Sequence, residues 1–296
     1  MMKYPNYQPL IDPAQPTSGL GRLIMGSAMT IIGYFALGVF YYAIIARLDP
    51  AMNWAQVSAE IASGSTPYGV LYLLGSFLMM IAALWVPLRL VHRRGLLGLF
   101  GPLRLVTRDF LRVSGAIAVL YICVSLIPMP AKFMPTPNLD AAIWRAVLPL
   151  AVFAIFIQVT AEELVFRGYL QSQLAARFRS PWIWIALPSV LFGMLHYDPV
   201  GAGENARMVV FTAILFGLIA ADLTARSGNL GAAMGVHFVT NITAILLAAP
   251  AEGLNGLALY TYPFTMDDAV AASYWMPIDI MLLITGWLAA RLMIKR

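Results

Sequence analysis

The chain has 296 residues, 60% of them hydrophobic and 11% charged, with a net charge of +5 and a mean hydropathy of +0.78. Soluble domains carry about a quarter charged residues, so the composition excludes an ordinary soluble enzyme and makes lipid the main solvent. The positive charge does not point to nucleic acid, because Lys and Arg fall between apolar segments, where topology signals lie.

Residues 1–20 are polar, carry Pro5, Pro9, Pro13 and Pro16, and lack the apolar core of a signal peptide. They read as a mobile tail ahead of a single transmembrane domain over 21–296. A spanning helix takes roughly 20 mostly apolar residues. Candidate spans are Leu23–Ile45, Tyr68–Leu88, Phe110–Ile127, Ala146–Tyr169, Trp182–His196, Met208–Thr224, Leu230–Ala249 and Ala271–Leu292. The expected fold is therefore all-α and polytopic with about eight transmembrane helices, since backbone groups facing lipid must be satisfied within their own segment. The fifth span is short, and Pro188 is expected to kink it. Cys123 is the lone cysteine, so no intramolecular disulfide forms.

Orientation follows from the basic loops. Arg89, Arg93, Arg94, Arg104, Arg108 and Arg112 lie between the second and third spans. Arg177 and Arg179 follow the fourth, Arg226 the sixth, and Arg291, Lys295 and Arg296 the eighth. With Lys3 and Arg22 these share one side, which the positive-inside rule assigns to the cytoplasm. A multi-pass protein of the plasma or inner membrane with both termini cytoplasmic is expected.

Ionisable residues inside spans are costly and tend to be functional. The fourth span holds Glu162, Glu163 and Arg167, the fifth ends at His196, the seventh holds His237 and Asn241, and the eighth Asp279. With a rise of about 1.5 Å per residue, Glu162, His196, His237 and Asn241 reach similar depths, so they are expected to meet in one cavity. Glu163 and Arg167 are four apart, acid first, and should pair on one helix face. Glu162 points about 100° away and stays free for a cavity. His237 and Asn241 share a face, and Gly231 with Gly235 should let the seventh helix approach a neighbour closely. His92 among the arginines reads as solvated, Asp222 as reaching the interface, and Asp279 as a capping or packing residue. A carboxylate general base, a water-positioning histidine and a His–Asn pair for an oxyanion are the parts needed to hydrolyse an amide.

Glu-Glu-xxx-Arg at 162–167, Phe-xxx-His at 192–196 and His-xxx-Asn at 237–241, each on its own apolar segment, resemble the type II CAAX prenyl endopeptidases. Their bacterial relatives are the CPBP or Abi intramembrane proteases, linked with bacteriocin processing and self-immunity. The resemblance runs from about Val147 to Ala249. It implies Glu162 as catalytic carboxylate, His196 as its water-positioning partner, His237 and Asn241 at the oxyanion, and Glu163 with Arg167 as support. It also implies a peptide or protein substrate in or at the bilayer. A metal-free mechanism is preferred, because no His-Glu-xx-His helix is present. Zinc held by Glu162, His196 and His237 stays open. Two other functions remain: a catalytically silent immunity or scaffold protein, and a proton- or ion-coupled transporter, which would more often show internal repeats.

Overall fold

The computed structural model describes residues 4–48 and 53–295; Lys3 and Arg296, used above for orientation, lie outside them. About 77% of the chain is helical. The main helices are α1 (Leu20–Leu48), α2 (Trp54–Ser63), α3 (Pro67–Leu90), α4 (Leu103–Ser125), α5 (Ala141–Arg177), α6 (Trp182–Met194), α7 (Ala206–Ser227), α8 (Gly231–Leu247) and α9 (Ala269–Met293).

Eight of these realise the expected spans, and α2 is an additional short helix. Helices α1, α3, α5, α7 and α9 are long and apolar enough to cross a membrane by themselves. Helices α6 and α8 are apolar but shorter, and α4 runs through Arg104, Arg108, Asp109 and Arg112 before its apolar half. The result is an all-α polytopic membrane architecture. One departure is a patch of two-residue strands, β1 (Thr136–Pro137), β2 (Ala248–Ala249) and β3 (Tyr260–Thr261). Strand β3 lies between the other two, antiparallel to β1 and parallel to β2.

Helix packing follows the small residues. Helix α8 lies along α4, where a side chain at Gly231 would strike the Val106 carbonyl and one at Gly235 would meet Phe110 O at 3.0 Å and Ser114 Oγ at 3.2 Å. The expected close approach therefore occurs, with α4 as the partner. Helices α6 and α7 meet the same way through Gly193 and Gly217, the latter 2.8 Å from Ser189 Cβ for an added Cβ. Gly231→Leu should overpack the α4–α8 seam and destabilise by about 1–3 kcal/mol, read as a lower melting temperature of the detergent-solubilised protein.

Helix α8 is also held at its start. Asn229 Oδ1 accepts from the Gly231 backbone N–H at 2.8 Å, and Asn229 Nδ2 donates to the fully buried Asp109 at 2.9 Å. Asp222, expected at the interface, instead ties three elements together. It is 2.7 Å from Arg226 Nε, accepts from Trp287 Nε1 on α9 at 2.8 Å, and accepts from the Tyr4 hydroxyl at 2.8 Å. A carboxylate with three donors tolerates burial that a lone one would not.

The segment expected to be a mobile tail is packed over residues 4–17. It forms short helical turns whose Tyr7, Leu10 and Ala14 are completely buried, and Tyr7 stacks on Trp184 at 5.4 Å. The physical reason is the length of α5, which runs on to Arg177, past the apolar span expected to end at Tyr169. Its last turns carry Gln171, Ser172 and Gln173, and the N-terminal segment contributes to covering them.

His92 is part of that cover and is 2% exposed, against the expectation of solvation. Gln173 Nε2 donates to its Nδ1 at 3.0 Å, so the ring proton sits on Nε2 and is donated to the Tyr169 hydroxyl at 2.8 Å. Burial, reinforced by the cations of Arg94 and Arg22, pushes the imidazole down from 6.5 to about 4. In the window between these values the unfolded imidazole is protonated and the folded one is not. The contribution of His92 is thus full above about pH 6.5 and is lost as the pH falls towards 4. Hydrogen exchange over residues 4–17 should accelerate across that window, and His92→Gln should flatten the change.

Candidate active site

Helix α5 supplies Gln158, Glu162, Glu163 and Arg167. Immediately after Glu163 its hydrogen bonding widens to a π-helical stretch over Leu164–Gln171. Such widenings inside helices often mark functional sites. Helix α8 supplies His237 and Asn241, α6 supplies Phe192, the turn after α6 supplies His196, and α7 supplies Phe216.

Glu163 is completely buried and accepts two bonds on one oxygen. Arg167 Nη1 donates to Glu163 Oε1 at 3.0 Å, which is the expected pair four residues apart. His237 Nδ1 lies 2.8 Å from the same oxygen. Because the carboxylate is paired with an arginine and accepts, His237 carries a proton on Nδ1. Its Nε2 is then directed away from Glu163 and sits 3.4 Å from Glu162 Oε2. That oxygen is buried but makes no hydrogen bond to the described residues, and neither does Glu163 Oε2 or Thr160 Oγ1. Three unpartnered oxygens on one turn of a buried helix are unusual, since buried polar groups are nearly always paired.

Aromatic rings hold the charged groups in place. The Arg167 guanidinium lies 4.7 Å from the Phe192 ring centre, 5.7 Å from Phe216 and 5.8 Å from Phe166. Its Nη2 also reaches the Gly217 carbonyl at 3.5 Å. The His237 ring meets Phe216 edge-on at 4.8 Å and Phe192 at 6.2 Å. Arg167 therefore locks α5 to α6 and α7, and the same phenylalanines fix the plane of His237.

The remaining expected residues lie around this centre without touching it. The exposed His196 uses Nδ1 on the Phe192 carbonyl one turn back at 2.9 Å, and its ring packs on Phe192 at 4.7 Å. One phenylalanine thus separates the two imidazoles. Asn241 Nδ2 donates to Gln158 Oε1 at 2.8 Å, one turn below Glu162 on α5. Gln158 and Phe216 were not anticipated. Gln158 had a readable signal, an amide in an apolar run four residues before Glu162, whereas Phe216 had none.

Zinc at Glu162, His196 and His237 would need three ligand atoms at about 2.0–2.2 Å from one point. Among the described residues, no three His, Cys, Asp or Glu side chains gather in that way. The Nδ1 bonds of His237 and His196 leave both Nε2 atoms available to a ligand, but Phe192 packs against both rings, 4.7 Å from His196 and 6.2 Å from His237. The three-ligand set does not fit this arrangement.

Two ordered motifs, on α5 and α8, thus come together around one imidazole, within a segment that can be compared with known proteins. Residues 144–243 match the Rce1-like family of type II CAAX prenyl endopeptidases. That segment contains every residue of the centre just described. The chain is also 26% identical over 244 residues to the uncharacterized protein YyaK of Bacillus subtilis (strain 168), covering 78% of this chain and 79% of that one. No solved structure matches. At family level the CAAX-endopeptidase-like segment and its apolar helices support a membrane-embedded peptidase of the CAAX type.

Proposed function

We propose that the chain is an intramembrane endopeptidase that hydrolyses a peptide bond with water activated by Glu162 and His237. The observation that carries this reading is the pairing of Glu162 Oε2, buried and without a hydrogen bond among the described residues, with His237 Nε2 at 3.4 Å. Glu163, anchored by Arg167, holds the Nδ1 proton of His237 and so directs the Nε2 lone pair toward Glu162. Second-site partners of this kind set the tautomer of a working histidine.

A water contacting both atoms gives one proton to Glu162 and is oriented by His237 as its oxygen attacks the scissile carbonyl. The tetrahedral oxyanion then collapses, and the Glu162 carboxyl returns the proton to the departing amine. Asn241 keeps a second amide N–H, whereas His196, with its Nδ1 proton on the Phe192 carbonyl, keeps Nε2 as an acceptor. We assign the amide N–H to the developing oxyanion and the His196 Nε2 lone pair to the attacking water, contacts that tighten once substrate is bound, because catalytic hydrogen bonds are often loose in free enzymes. The substrate is a peptide or protein segment presented in or at the bilayer, and the termini of the enzyme are cytoplasmic.

The test is cleavage by purified full-length protein in lipid vesicles. A farnesylated CAAX-type peptide and the same peptide without its lipid serve as substrates, and wild type is compared with His237→Gln. Wild type should cleave at least one peptide and His237→Gln should lose most of that activity. Equal cleavage by both would remove His237 from the mechanism. Full activity with a strong chelator present is expected; abolition that added zinc reverses would replace the metal-free scheme.

A further inference from the structure

A second site lies near the C-terminal end of α5, in a cleft of about 330 Å³ lined by Pro13, Pro16, Thr17, Arg22, His92 and Arg93. It forms where the N-terminal segment crosses the start of α1 and the loop after α3. His92, at its base, spends Nε2 on Tyr169, while Nδ1 accepts from Gln173 and lies 3.3 Å from Thr17 Oγ1, so it braces the wall. The two arginines differ from it, because both are exposed and neither forms an ion pair among the described residues. The charged groups that act on His92 are Arg94 and Arg22, both cations. The nearest acid in sequence, Asp12, is engaged by Gln8 and does not line the cleft.

Arg93 adds an independent observation. It is the non-glycine residue held at positive φ, at 52°, among the described residues. Backbone of that kind is uncommon outside glycine and clusters at ligand clamps. Here it places a guanidinium at a polar cleft whose other cation, Arg22, has no counter-charge. Beside the two arginines lie exposed apolar side chains: Met25 is 48% exposed and Leu90 72%. Met25 stands one turn above Arg22 on the same side of α1, and Leu90 closes α3, so exposed apolar side chains adjoin the cationic cleft.

We propose that this cleft binds the phosphate of an anionic glycerophospholipid, with Arg22 and Arg93 on the phosphodiester and the acyl chains along Met25 and Leu90. Unpaired arginines form short, charge-assisted hydrogen bonds to phosphate, and basic pockets at a membrane face take anionic headgroups. Through the His92–Tyr169 bond the bound lipid would stabilise the docked N-terminal segment against the end of α5.

The experiment titrates dioleoyl phosphatidylglycerol, dioleoyl phosphatidylcholine and inorganic phosphate separately into the full-length protein in uncharged detergent. Bound ligand is counted by native mass spectrometry. Wild type should take up one phosphatidylglycerol saturably and in preference to the other two. At roughly fivefold per cation, Arg22→Gln with Arg93→Gln should weaken it about 30-fold. Arg93→Gly removes one charge while suiting the positive φ, so it folds and should weaken binding about fivefold. Unchanged phosphatidylglycerol affinity in Arg93→Gly and the double variant would overturn the site. Equal uptake of phosphatidylcholine would overturn the requirement for net negative charge. Inorganic phosphate binding as tightly as phosphatidylglycerol, with the same dependence on the arginines, would overturn the lipid assignment in favour of a soluble phosphate.

Discussion

Glutamine in place of Glu162 is expected to lower the rate of peptide cleavage by about 10²–10⁴-fold, the usual worth of a positioned general base, while the protein folds and melts as wild type. The contrast with its neighbour is the reason. Among the described residues Glu162 makes no hydrogen bond through Oε2, and its side chain retains 13% exposure, so an amide of the same shape removes nothing that supports the fold. Glu163 has no exposure and carries both Arg167 and His237, so the same change there would injure structure and chemistry together. The loss in Glu162→Gln should fall on kcat with little change in KM, because the lost interaction is made in the transition state. Cleavage by Glu162→Gln at the wild-type rate would move the base elsewhere. In vesicles, proton or ion flux that persists in this variant, with no cleavage by either protein, would favour a transporter instead.

The helical architecture was legible in the sequence because a lipid solvent forces every span to show itself as a long apolar run. What the runs conceal is where a helix outlasts the membrane. Helix α5 continues to Arg177, and the polar residues of its last turns are buried by protein. That explains the misreading of the N-terminal segment, whose polarity and prolines resemble a free tail. Its Tyr7, Leu10 and Ala14 are spaced three and four apart, a helical stripe short enough to miss. His92 was misread for a related reason. Its neighbours in sequence are arginines, but its partners Thr17, Tyr169 and Gln173 come from 75 to 81 residues away.

At the site, local geometry was readable and helix rotation was not. The Glu163–Arg167 pair follows from spacing within one helix, as does the divergence of Glu162 from Glu163. The contact of His237 with Glu163 depends on how α8 is turned against α5. That angle is set by distant residues, among them Gly231 and Gly235 on α4 and Asn229 on Asp109. Asn241 shares its face with His237 as expected, yet meets Gln158, because one helical turn along the same seam places it below Glu162.

Removing Arg167 should have the largest effect on stability. Arg167→Leu leaves Glu163 fully buried without its cation, a change that typically costs about 3–5 kcal/mol, and it deprives Phe192 of a guanidinium 4.7 Å from its ring centre. Arg167→Lys keeps the charge but loses the planar fork that spans Glu163 and the Gly217 carbonyl, so a smaller loss is expected. The informative variant replaces both partners. Buried ion pairs exchanged for apolar residues of similar volume are often neutral in stability, so Glu163→Leu with Arg167→Leu should regain most of what Arg167→Leu loses on thermal melting. Cleavage should not return with it. In the double variant His237 Nδ1 has lost the acceptor that fixes its proton, and Nε2 is no longer held toward Glu162. A stable but inactive double variant would show that the pair orients the catalytic imidazole; recovery of cleavage together with melting temperature would reduce it to a structural bridge between helices.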